Sequence, residues 1–300
     1  MSEAREILHA LNQIILGKDE QIRLALCCLL ARGHLLIEDL PGMGKTTLSH
    51  ALAAVFGLRY ARVQFTSDLL PADILGVNIY EKDPQTGHGA FRFHPGPVFS
   101  EVLLADEINR APAKSQSALL EAMEERQVTI EGESHPLPDP FFVIATQNPV
   151  SQAGTYPLPE SQLDRFLMRI SLGYPDETSE RALLEGSDRR AFIEQLQPLM
   201  SGAGLKILQG QVHAVKPSAA VLDYLQRIIA HTRYRMGFAY GLSPRGGLAL
   251  LTAAKSWALL SERQYLVPED IQAVLAAVVD HRLPDSGAAA TLLSEVQVLA

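Results

Sequence analysis

The stretch LLIEDLPGMGKTTL, from Leu35 to Leu48, decides the fold of this chain. Its first residues form a short apolar run typical of a buried parallel strand, and its last residues follow a helical pattern. The turn between them ends in Gly-Lys-Thr at residues 44–46, which matches the end of the phosphate-binding pattern Gly-x-x-x-x-Gly-Lys-Ser/Thr. Asp39 replaces the first glycine of that pattern. The sequence therefore raises the question whether this loop still binds a nucleotide.

A strand, turn and helix in this order can bind phosphate. Backbone N–H groups of the turn and the N-terminal end of the helix dipole attract an anion. Lys45 would neutralise the β- and γ-phosphates, and the hydroxyl of Thr46 would ligate Mg²⁺. The predicted nucleotide-binding residues of the loop are Pro41, Gly42, Met43, Gly44, Lys45, Thr46 and Thr47. Taken alone, the loop leaves a plain structural turn open, because a bare Gly-Lys-Thr is common.

A second polar pair favours the nucleotide. The run EVLLAD predicts a strand that ends at Asp106, and Glu107 follows it. In a phosphate-loop fold we expect this strand to lie beside the strand of the loop, so that both carboxylates face the phosphates. Asp106 would hold Mg²⁺, through a water molecule, and Glu107 would accept a proton from the attacking water or orient it. Asn148 ends another apolar strand, FFVIATQN, and should reach the same edge.

Two arginines are candidates for contacts with phosphate. Arg165 lies near the end of a predicted helix in LPESQLDRF. Arg245 lies in the first turn of another helix, with Ser243 as the predicted N-cap and Pro244 at the first helical position. Because a helix N-terminus disfavours a cation, a bound polyphosphate nearby would explain Arg245. For each arginine, a surface salt bridge is the alternative.

The apolar runs predict an α/β fold. Short strands alternate with helices, which indicates a parallel five-stranded sheet covered on both faces. The expected strands are residues 34–39, 60–65, 101–106, 141–148 and 168–173. We predict a domain boundary at Gly173, with an α/β nucleotide-binding domain at residues 1–173 and a smaller, all-helical domain at 174–300. Expected helices lie at 19–31, 218–234, 243–263 and 268–282, and the tail after Leu283 is expected to be loosely attached.

Two further segments break the alternation of strands and helices. VNIYEKDPQTGHGAFRF, residues 77–93, reads as two strands joined by a turn with Pro and Gly. QVTIEGESHPL, residues 127–137, predicts a shorter hairpin that turns at Glu131-Gly132-Glu133. Both are therefore expected to be β-hairpins inserted into the α/β domain.

Composition limits the possible class of protein. The chain has 300 residues, of which 47% are hydrophobic, and a net charge of −8, so it resembles ordinary globular proteins and is a poor general binder of nucleic acid. Its apolar runs are too short to span a bilayer, and no secretory leader is recognised at the start. We therefore expect a cytoplasmic protein without a membrane span. The adjacent Cys27 and Cys28 are expected to be reduced.

In their order and spacing, the loop, LLADEINRA, VIATQNP, LPESQLDRF and SPRGG resemble the AAA+ ATPases. The two hairpins are similar to the inserts of the helix-2-insert clade. Within that clade, LPGMGKT, FTSDLLPADILG, FRFHPGPVF and DEINRAPAKSQSALLEAMEERQVT closely resemble the MoxR family, from about Ile15 to Leu283. The resemblance implies an AAA+ core followed by a helical lid domain. It also implies hydrolysis of ATP with Mg²⁺ in a ring, usually a hexamer.

The resemblance also implies roles for single residues. Asn148 matches the first sensor, and Arg245 the second sensor, which the lid supplies. Arg165 matches the arginine finger, which serves the ATP of the neighbouring subunit. The segment ILGK, with Ile15 and Gly17, matches the part of the family that lines the adenine pocket.

An acidic residue at position 39 is familiar among MoxR-like sequences, and its carboxylate could hold the turn by accepting backbone N–H groups. The family implies a chaperone-like ATPase that remodels, matures or activates a partner protein, often one with a von Willebrand A domain. A magnesium-chelatase-like motor subunit stays open as an alternative. A nucleic-acid motor is disfavoured because TIEGESH, residues 129–135, carries no Lys or Arg. A non-hydrolysing switch is disfavoured by the presence of Glu107 and Arg165.

Overall fold

The computed structural model describes residues 3–82, 89–149, 155–186, 192–193, 196–235, 237–238, 240–284 and 287–298. In chain order the strands are β1 (Leu35–Glu38), β2 (Tyr60–Gln64), β3 (Gly76–Lys82), β4 (Gly89–Pro95), β5 (Val102–Asp106), β6 (Gln127–Ile130), β7 (Glu133–Pro136), β8 (Phe142–Gln147) and β9 (Met168–Ile170). The helices are α1 (Glu3–Ile14), α2 (Asp19–Leu30), α3 (Lys45–Val55), α4 (Pro71–Leu75), α5 (Ala113–Glu125), α6 (Glu160–Leu163), α7 (Glu177–Leu184), α8 (Gly202–Ala214), α9 (Ala219–Tyr234), α10 (Pro244–Leu260), α11 (Pro268–Val279) and α12 (Ala288–Glu295).

The central sheet is parallel and has the strand order β2–β5–β8–β1–β9, which confirms the five predicted strands. The expectation that β5 lies beside β1 is wrong, because β8 lies between them and pairs with both. An apolar run identifies a strand that is buried on both faces, but it carries no information about which strands are its neighbours. Since all five strands are parallel, their C-terminal ends still meet at one edge, where β8 adds its own residues.

Helices cover both faces of the sheet. Successive side chains of β5 alternate between two hydrophobic clusters, with Leu104 in one and Leu103 and Ala105 in the other. The first cluster includes residues of α1, α2 and α3, and the second includes residues of α4 and α5. This arrangement confirms the α/β class, and it leaves the two ends of the sheet as the places where polar residues can gather.

Both inserted hairpins are confirmed. Strands β3 and β4 pair antiparallel, and their predicted turn lies outside the described residues. In the second hairpin, β6 and β7 are joined by Glu131 and Gly132, whose φ angles are 51° and 88°, while Glu133 already belongs to β7. The hairpins contact each other, because the ring of Phe93 stacks on His135 with centroids 4.0 Å apart.

The C-terminal part is helical, as predicted, and forms an all-helical lid. Helices α9, α10 and α11 begin and end within a few residues of their predicted bounds, whereas α1 and α8 were not predicted. The lid and the α/β part share a hydrophobic cluster, and the thiol of Cys27 in α2 donates to the carbonyl of Ala253 in α10 at 3.2 Å. Cys27 and Cys28 are free and buried. The domain boundary at Gly173 stays a prediction.

The expectation of a loosely attached tail is wrong. Helix α12 packs against α11, and Ala288, Ala289 and Leu292 are buried. The carboxylate of Asp280 accepts the backbone N–H of Ala289 at 2.8 Å, so it binds one of the unpaired N–H groups at the start of α12. The small residues that suggested looseness instead allow the helix to approach α11 closely. No helix in the described ranges is long and apolar enough to cross a membrane.

The packing of α12 predicts a difference between two adjacent leucines. Leu292 is fully buried and Leu293 is 45% exposed. Leu292→Ala should lower the free energy of unfolding by about 2–4 kcal/mol, because it leaves a cavity in the core. Leu293→Ala is the matched control and should change it by roughly 0.5 kcal/mol or less. Denaturant titration measures both, and equal small losses would show that α12 contributes little to stability.

Candidate functional site

The loop between β1 and α3 follows a path that requires glycine at two positions. Gly42 and Gly44 have φ angles of 86° and 88°, in the left-handed region that glycine adopts readily. A Cβ atom at either position would meet nothing within 4 Å, so backbone conformation and not crowding makes the requirement. Gly44 is the N-cap of α3, and Lys45 is its first residue. The ammonium group of Lys45 donates to the carbonyl oxygen of Asp39 at 2.7 Å.

Asp39 does not need to be glycine, because it is not among the positive-φ residues of the described chain. Its side chain is buried, and Oδ1 accepts the N–H of Leu40 at 2.8 Å. Oδ2 accepts the N–H groups of Leu172 at 2.6 Å and Gly173 at 2.7 Å, and the hydroxyl of Ser171 at 3.2 Å. The predicted bond to the turn is therefore present at Leu40. The other bonds tie the loop to the segment that leaves β9 toward the lid.

Thr146 of β8 bonds to both acidic residues at the end of β5, Asp106 and Glu107. Its hydroxyl donates to Asp106 Oδ1 at 2.6 Å and accepts the backbone N–H of Glu107 at 2.8 Å. Glu107 has a φ of 56°, an uncommon conformation for a residue with a side chain, and the bond from its N–H helps to fix it. Thr146 was not predicted as a site residue from the sequence. Its signal was a polar residue inside an otherwise apolar, fully buried strand.

Two further missed residues come from β2. Arg62 donates from Nη2 to Asp106 Oδ2 at 2.6 Å, and Gln64 donates from Nε2 to Glu107 Oε2 at 2.8 Å. They reach these carboxylates because β2 pairs with β5, with Gln64 opposite Asp106. Residues 62 and 64 are two apart in YARVQF and therefore lie on one face of the strand. The sequence therefore showed that Arg62 and Gln64 share a face of the strand. It did not show that this strand pairs with β5, and only that pairing brings them to Asp106 and Glu107.

These side chains surround a cavity of about 430 Å³. Its wall contains Pro41, Gly42, Gly44, Lys45, Thr46, Thr47, Arg62, Gln64, Asp106 and Glu107. Met43 was predicted with them, but its side chain packs against the hydrophobic core. Burial lowers the pKa of Lys45, while Asp39, Asp106 and Glu107 raise it.

The chemistry of this cavity fits a polyphosphate with a divalent cation. The loop and the start of α3 offer N–H groups, and Lys45 offers a positive charge. The hydroxyl of Thr46 and the carboxylate of Asp106 are oxygen donors of the kind that Mg²⁺ takes. The residues present therefore fit a magnesium nucleotide.

The other residues predicted to contact the nucleotide are not part of the wall of this cavity as described. Asn148 follows β8 at the same edge of the sheet but is not part of the described cavity wall, and Asn109 donates to its carbonyl at 3.5 Å. Ile15 is buried in the cluster against which Met43 packs. Gly17 lies so close to the start of α7 that a Cβ atom would come within 2.4 Å of Ser179 Oγ. Segment 15–18 therefore packs against the start of α7.

Arg165 and Arg245 lie together, away from the loop. Arg165 Nη2 is 3.1 Å from one carboxylate oxygen of Glu124, and Arg245 donates to the other oxygen. The hydrogen bond from Arg245 lowers the pKa of Glu124. The arginines line a cavity of about 370 Å³ with Gly33 and His34, which precede β1. The loop follows β1, so the two cavities lie at opposite edges of the sheet.

The cation in the first turn of α10 is thus balanced within the chain. Ser243 is the N-cap, as predicted, and accepts the N–H of Gly246 at 3.0 Å. The polyphosphate that the sequence suggested for Arg245 is not required to explain its position, because Glu124 supplies the negative charge. Both arginines form a salt bridge, which was the alternative to a phosphate contact in the sequence analysis. They share one carboxylate, however, and this joins two residues that are far apart in the sequence.

Comparisons with known proteins agree with this geometry. Residues 34–168 match the ATPase family associated with various cellular activities (AAA), and residues 230–299 match the AAA lid domain. Chaperone MoxR1 of Mycobacterium tuberculosis is 42% identical over 281 residues, covering 91% of this chain and 73% of its own. Protein MoxR of Paracoccus denitrificans is 33% identical over 303 residues, covering 93% and 88%.

Two further relatives extend the comparison. Protein YeaC of Bacillus subtilis, described as uncharacterized, is 45% identical over 273 residues, which cover 91% of this chain and 84% of its own. The crystal structure of a candidate ATPase from Cytophaga hutchinsonii superposes with a TM-score of 0.88 at 36% identity, covering 98% of this chain and 94% of that one. The phosphate loop, the five-stranded parallel sheet and the helical lid together define an AAA+ ATPase. Within that class, the chain belongs to the MoxR family.

The contacts of Asp39 predict a specific loss on substitution. Asp39→Asn should lower the free energy of unfolding by about 1–3 kcal/mol, because an amide replaces a buried carboxylate that accepts several N–H groups. It should also weaken the binding of a labelled ATP analogue. Asp39→Gly, which restores the usual glycine of the pattern, should lose as much, since no positive φ is needed there.

Glu38→Gln is the matched control for Asp39. Glu38 also links β1 to β9, through a half-exposed ion pair with Arg169 at 3.0 Å. Its loss should change the free energy of unfolding by roughly 1 kcal/mol or less. Denaturant titration and analogue binding measure both proteins, and a tolerated Asp39→Gly substitution would show that the carboxylate is dispensable.

Proposed function

We propose that this chain binds ATP with Mg²⁺, hydrolyses it to ADP and phosphate, and uses the cycle to remodel, mature or activate a partner protein. The observation that carries the proposal is that the loop after β1 and the acidic end of β5 line one cavity. Asp106 ends β5 and Glu107 follows it, and Thr146 of the neighbouring β8 bonds to both residues. An ammonium group, a hydroxyl and two carboxylates thereby face the same space.

Nucleotide binding falls to the loop and the start of α3. The N–H groups of the loop cradle the phosphates, and Lys45 exchanges its bond to the Asp39 carbonyl for the β- and γ-phosphates. Thr46 and Asp106 are the residues that would hold Mg²⁺, Asp106 through a water molecule. The bound cation would neutralise charge on the phosphates. Arg62 pairs with Oδ2 of Asp106, so its charge would lie beside the water that links this carboxylate to the cation.

Hydrolysis falls to Glu107. Its carboxylate accepts a proton from water while the water oxygen bonds to the γ-phosphorus and ADP leaves. In the structure, Gln64 at 2.8 Å and Arg110 at 3.1 Å both contact Oε2 of this carboxylate, so they orient the group and Oε1 is the oxygen assigned to accept the proton. Asn148 follows β8 at the same edge and is assigned to positioning the water or contacting the γ-phosphate.

Arg165 and Arg245 are assigned to the nucleotide of a neighbouring subunit. They lie at the opposite edge of the sheet from the loop of their own subunit, and Glu124 is their shared partner. In the proposed ring, a hexamer as is common in the family, this edge would face the loop of the next subunit. The γ-phosphate would then replace Glu124 as the anion between the two arginines. The sensor arginine of the lid and the finger arginine would thus act as one unit in trans.

A partner protein is the proposed recipient of the mechanical work. The relative from Mycobacterium tuberculosis is named a chaperone, which supports remodelling of other proteins. A partner with a von Willebrand A domain is proposed on the family resemblance. The acidic turn at Glu131 in the second hairpin gives no support to a role on DNA.

Glu107 is expected to be needed for hydrolysis of ATP and not for its binding. Glu107→Gln should bind ATP with nearly unchanged affinity, because Lys45 and Asp106 remain, but hydrolyse it at least about 100-fold more slowly, because an amide cannot accept the proton. Phosphate release and equilibrium binding of labelled ATP measure the two properties. Hydrolysis at the wild-type rate would show that another residue activates the water.

Lys45→Ala is the contrasting variant. It removes the main counter-charge of the phosphates and should weaken ATP binding by tenfold or more, which equals about 1.4 kcal/mol for each factor of ten. With ATP bound and not hydrolysed, Glu107→Gln should retain its protein partner in a pull-down, whereas Lys45→Ala should release it. Equal recovery of partner proteins with both variants would contradict the link between ATP and remodelling.

The next prediction tests the arginines. Arg165→Ala should bind ATP almost normally and hydrolyse it about 10³-fold more slowly, as expected for loss of an arginine finger. A mixture of Arg165→Ala and Lys45→Ala should regain activity, because an intact loop can face an intact arginine across a subunit boundary. Arg245→Ala should behave in the same way if it also acts in trans.

Three outcomes are separable by phosphate release as a function of protein concentration, once mixed rings are shown to form. A residue that acts in cis gives an inactive variant and an inactive mixture. A surface salt bridge without function gives near-normal activity for the variant alone. Only action in trans gives two inactive proteins whose mixture is active.

A further inference from the structure

Arg282, just beyond α11, is one of the most buried charged side chains in the described chain. Its side chain is 4% exposed, and Nε donates to the carboxylate of Asp164 at 2.8 Å. Nη2 donates to the carbonyls of Phe166 at 2.5 Å and Asp164 at 3.3 Å. Nη1 donates to the carbonyl of Leu167 at 3.0 Å and also to that of Val278. The guanidinium thus donates hydrogen bonds to the main-chain carbonyls immediately before and immediately after Arg165.

The number of bonds matters because burying a cation is unfavourable unless its donors are used. Burial lowers the pKa of Arg282, and Asp164 opposes that effect. Arginine can donate five hydrogens in a planar fork, and here they reach the carbonyls of Asp164, Phe166 and Leu167, between α6 and β9. Lysine carries the same charge but cannot satisfy this set of acceptors.

Arg282 also contacts the segment that carries Arg245. A Cβ atom added to Gly246 would lie 3.3 Å from Arg282 Cδ, so the side chain runs beside the first turn of α10. Arg165 and Arg245 then meet at Glu124. One lid side chain therefore lies against both segments whose arginines converge on that carboxylate, although it does not itself reach Glu124 by any contact of the described residues.

We infer that Arg282 is a positioning residue for the arginine finger: by holding residues 164–167, the lid fixes where Arg165 stands toward the neighbouring subunit. This inference rests on the proposed action of Arg165 in trans. It makes the lid a part of the site that it serves on the next subunit, so that a displacement of α11 moves the finger. A misplacement of about 1 Å in a reacting group can cost roughly 100-fold in rate.

A purely structural role for Arg282 is the alternative. It predicts loss of folding, or equal damage to the nucleotide site of the same subunit. The loop cavity lies at the other edge of the sheet, so a positioning role predicts that ATP binding by the variant's own loop is unchanged.

The test uses Arg282→Lys in the full chain, which keeps the charge and loses the fork. It should bind a labelled ATP analogue within about threefold of the unsubstituted protein and hydrolyse ATP about 10- to 100-fold more slowly. Mixed with Lys45→Ala, it should regain activity. Hydrogen exchange of the amides at 164–167 should become faster, while that of residues 42–46 should not change. Asp164→Asn, which removes the carboxylate partner of Arg282, is a second and milder variant if Arg282→Lys does not fold.

Arg263→Lys is the matched control, because Arg263 is another lid arginine with a carboxylate partner, Asp270, and lies outside this cluster. It should leave hydrolysis unchanged. Wild-type hydrolysis by Arg282→Lys, or a mixture with Lys45→Ala that stays inactive while the Arg165→Ala mixture is active, overturns the inference. An inactive Arg165→Ala mixture refutes the action of Arg165 in trans, and the inference then falls with the proposed function.

Discussion

The buried carboxylate of Asp39 is the interaction on which the site depends. It sits between β1 and the phosphate loop, and it accepts N–H groups from the loop at Leu40 and from the exit of β9 at Leu172 and Gly173. A buried carboxylate is stable only when its oxygens accept such bonds, so each of these segments is fixed by the others. The loop that binds phosphate and the chain that enters the lid therefore share one anchor. In this chain Asp39 replaces the first glycine of the pattern, and its carboxylate links the loop to the residues that follow β9.

The two edges of the parallel sheet have different chemistry. At the C-terminal edge, β2, β5 and the loop after β1 gather an ammonium group, hydroxyls and carboxylates around one cavity. At the opposite edge, Arg165, Arg245 and Arg282 gather around Glu124 and Asp164. Cations outnumber anions there, so the edge is suited to receive negative charge from outside the subunit. A ring of such subunits would place the cation-rich edge of one subunit against the edge of the next subunit that carries the phosphate loop.

In the isolated chain, the groups assigned to catalysis are already engaged. Arg62 forms an ion pair with Asp106, and Gln64 and Arg110 bond to Glu107. At the other edge, Glu124 forms ion pairs with the two arginines assigned to the neighbouring nucleotide. These contacts hold each charged group near its place of action without an uncompensated buried charge. Under the proposed function, the nucleotide and a neighbouring subunit would compete for some of these charged groups, so the ion pairs would be exchanged as the ring assembles.

The sequence by itself determined the elements and the chemistry of the loop. Apolar runs predicted the five strands, and the motifs predicted Lys45, Thr46, Asp106 and Glu107 as site residues, because the loop residues are consecutive and the two acidic residues stand directly at the end of a strand. The tertiary structure decided everything that depends on pairing. It placed β8 between β5 and β1, so that Thr146 links the carboxylate of Asp106 to the backbone N–H of Glu107. It packed the small residues of α12 against the lid, and it brought Arg282 to the segment of Arg165, 117 positions earlier in the chain. Periodicity reports which face of an element is buried, but not which element buries it, and hydrogen bonds between distant segments leave no pattern in the sequence.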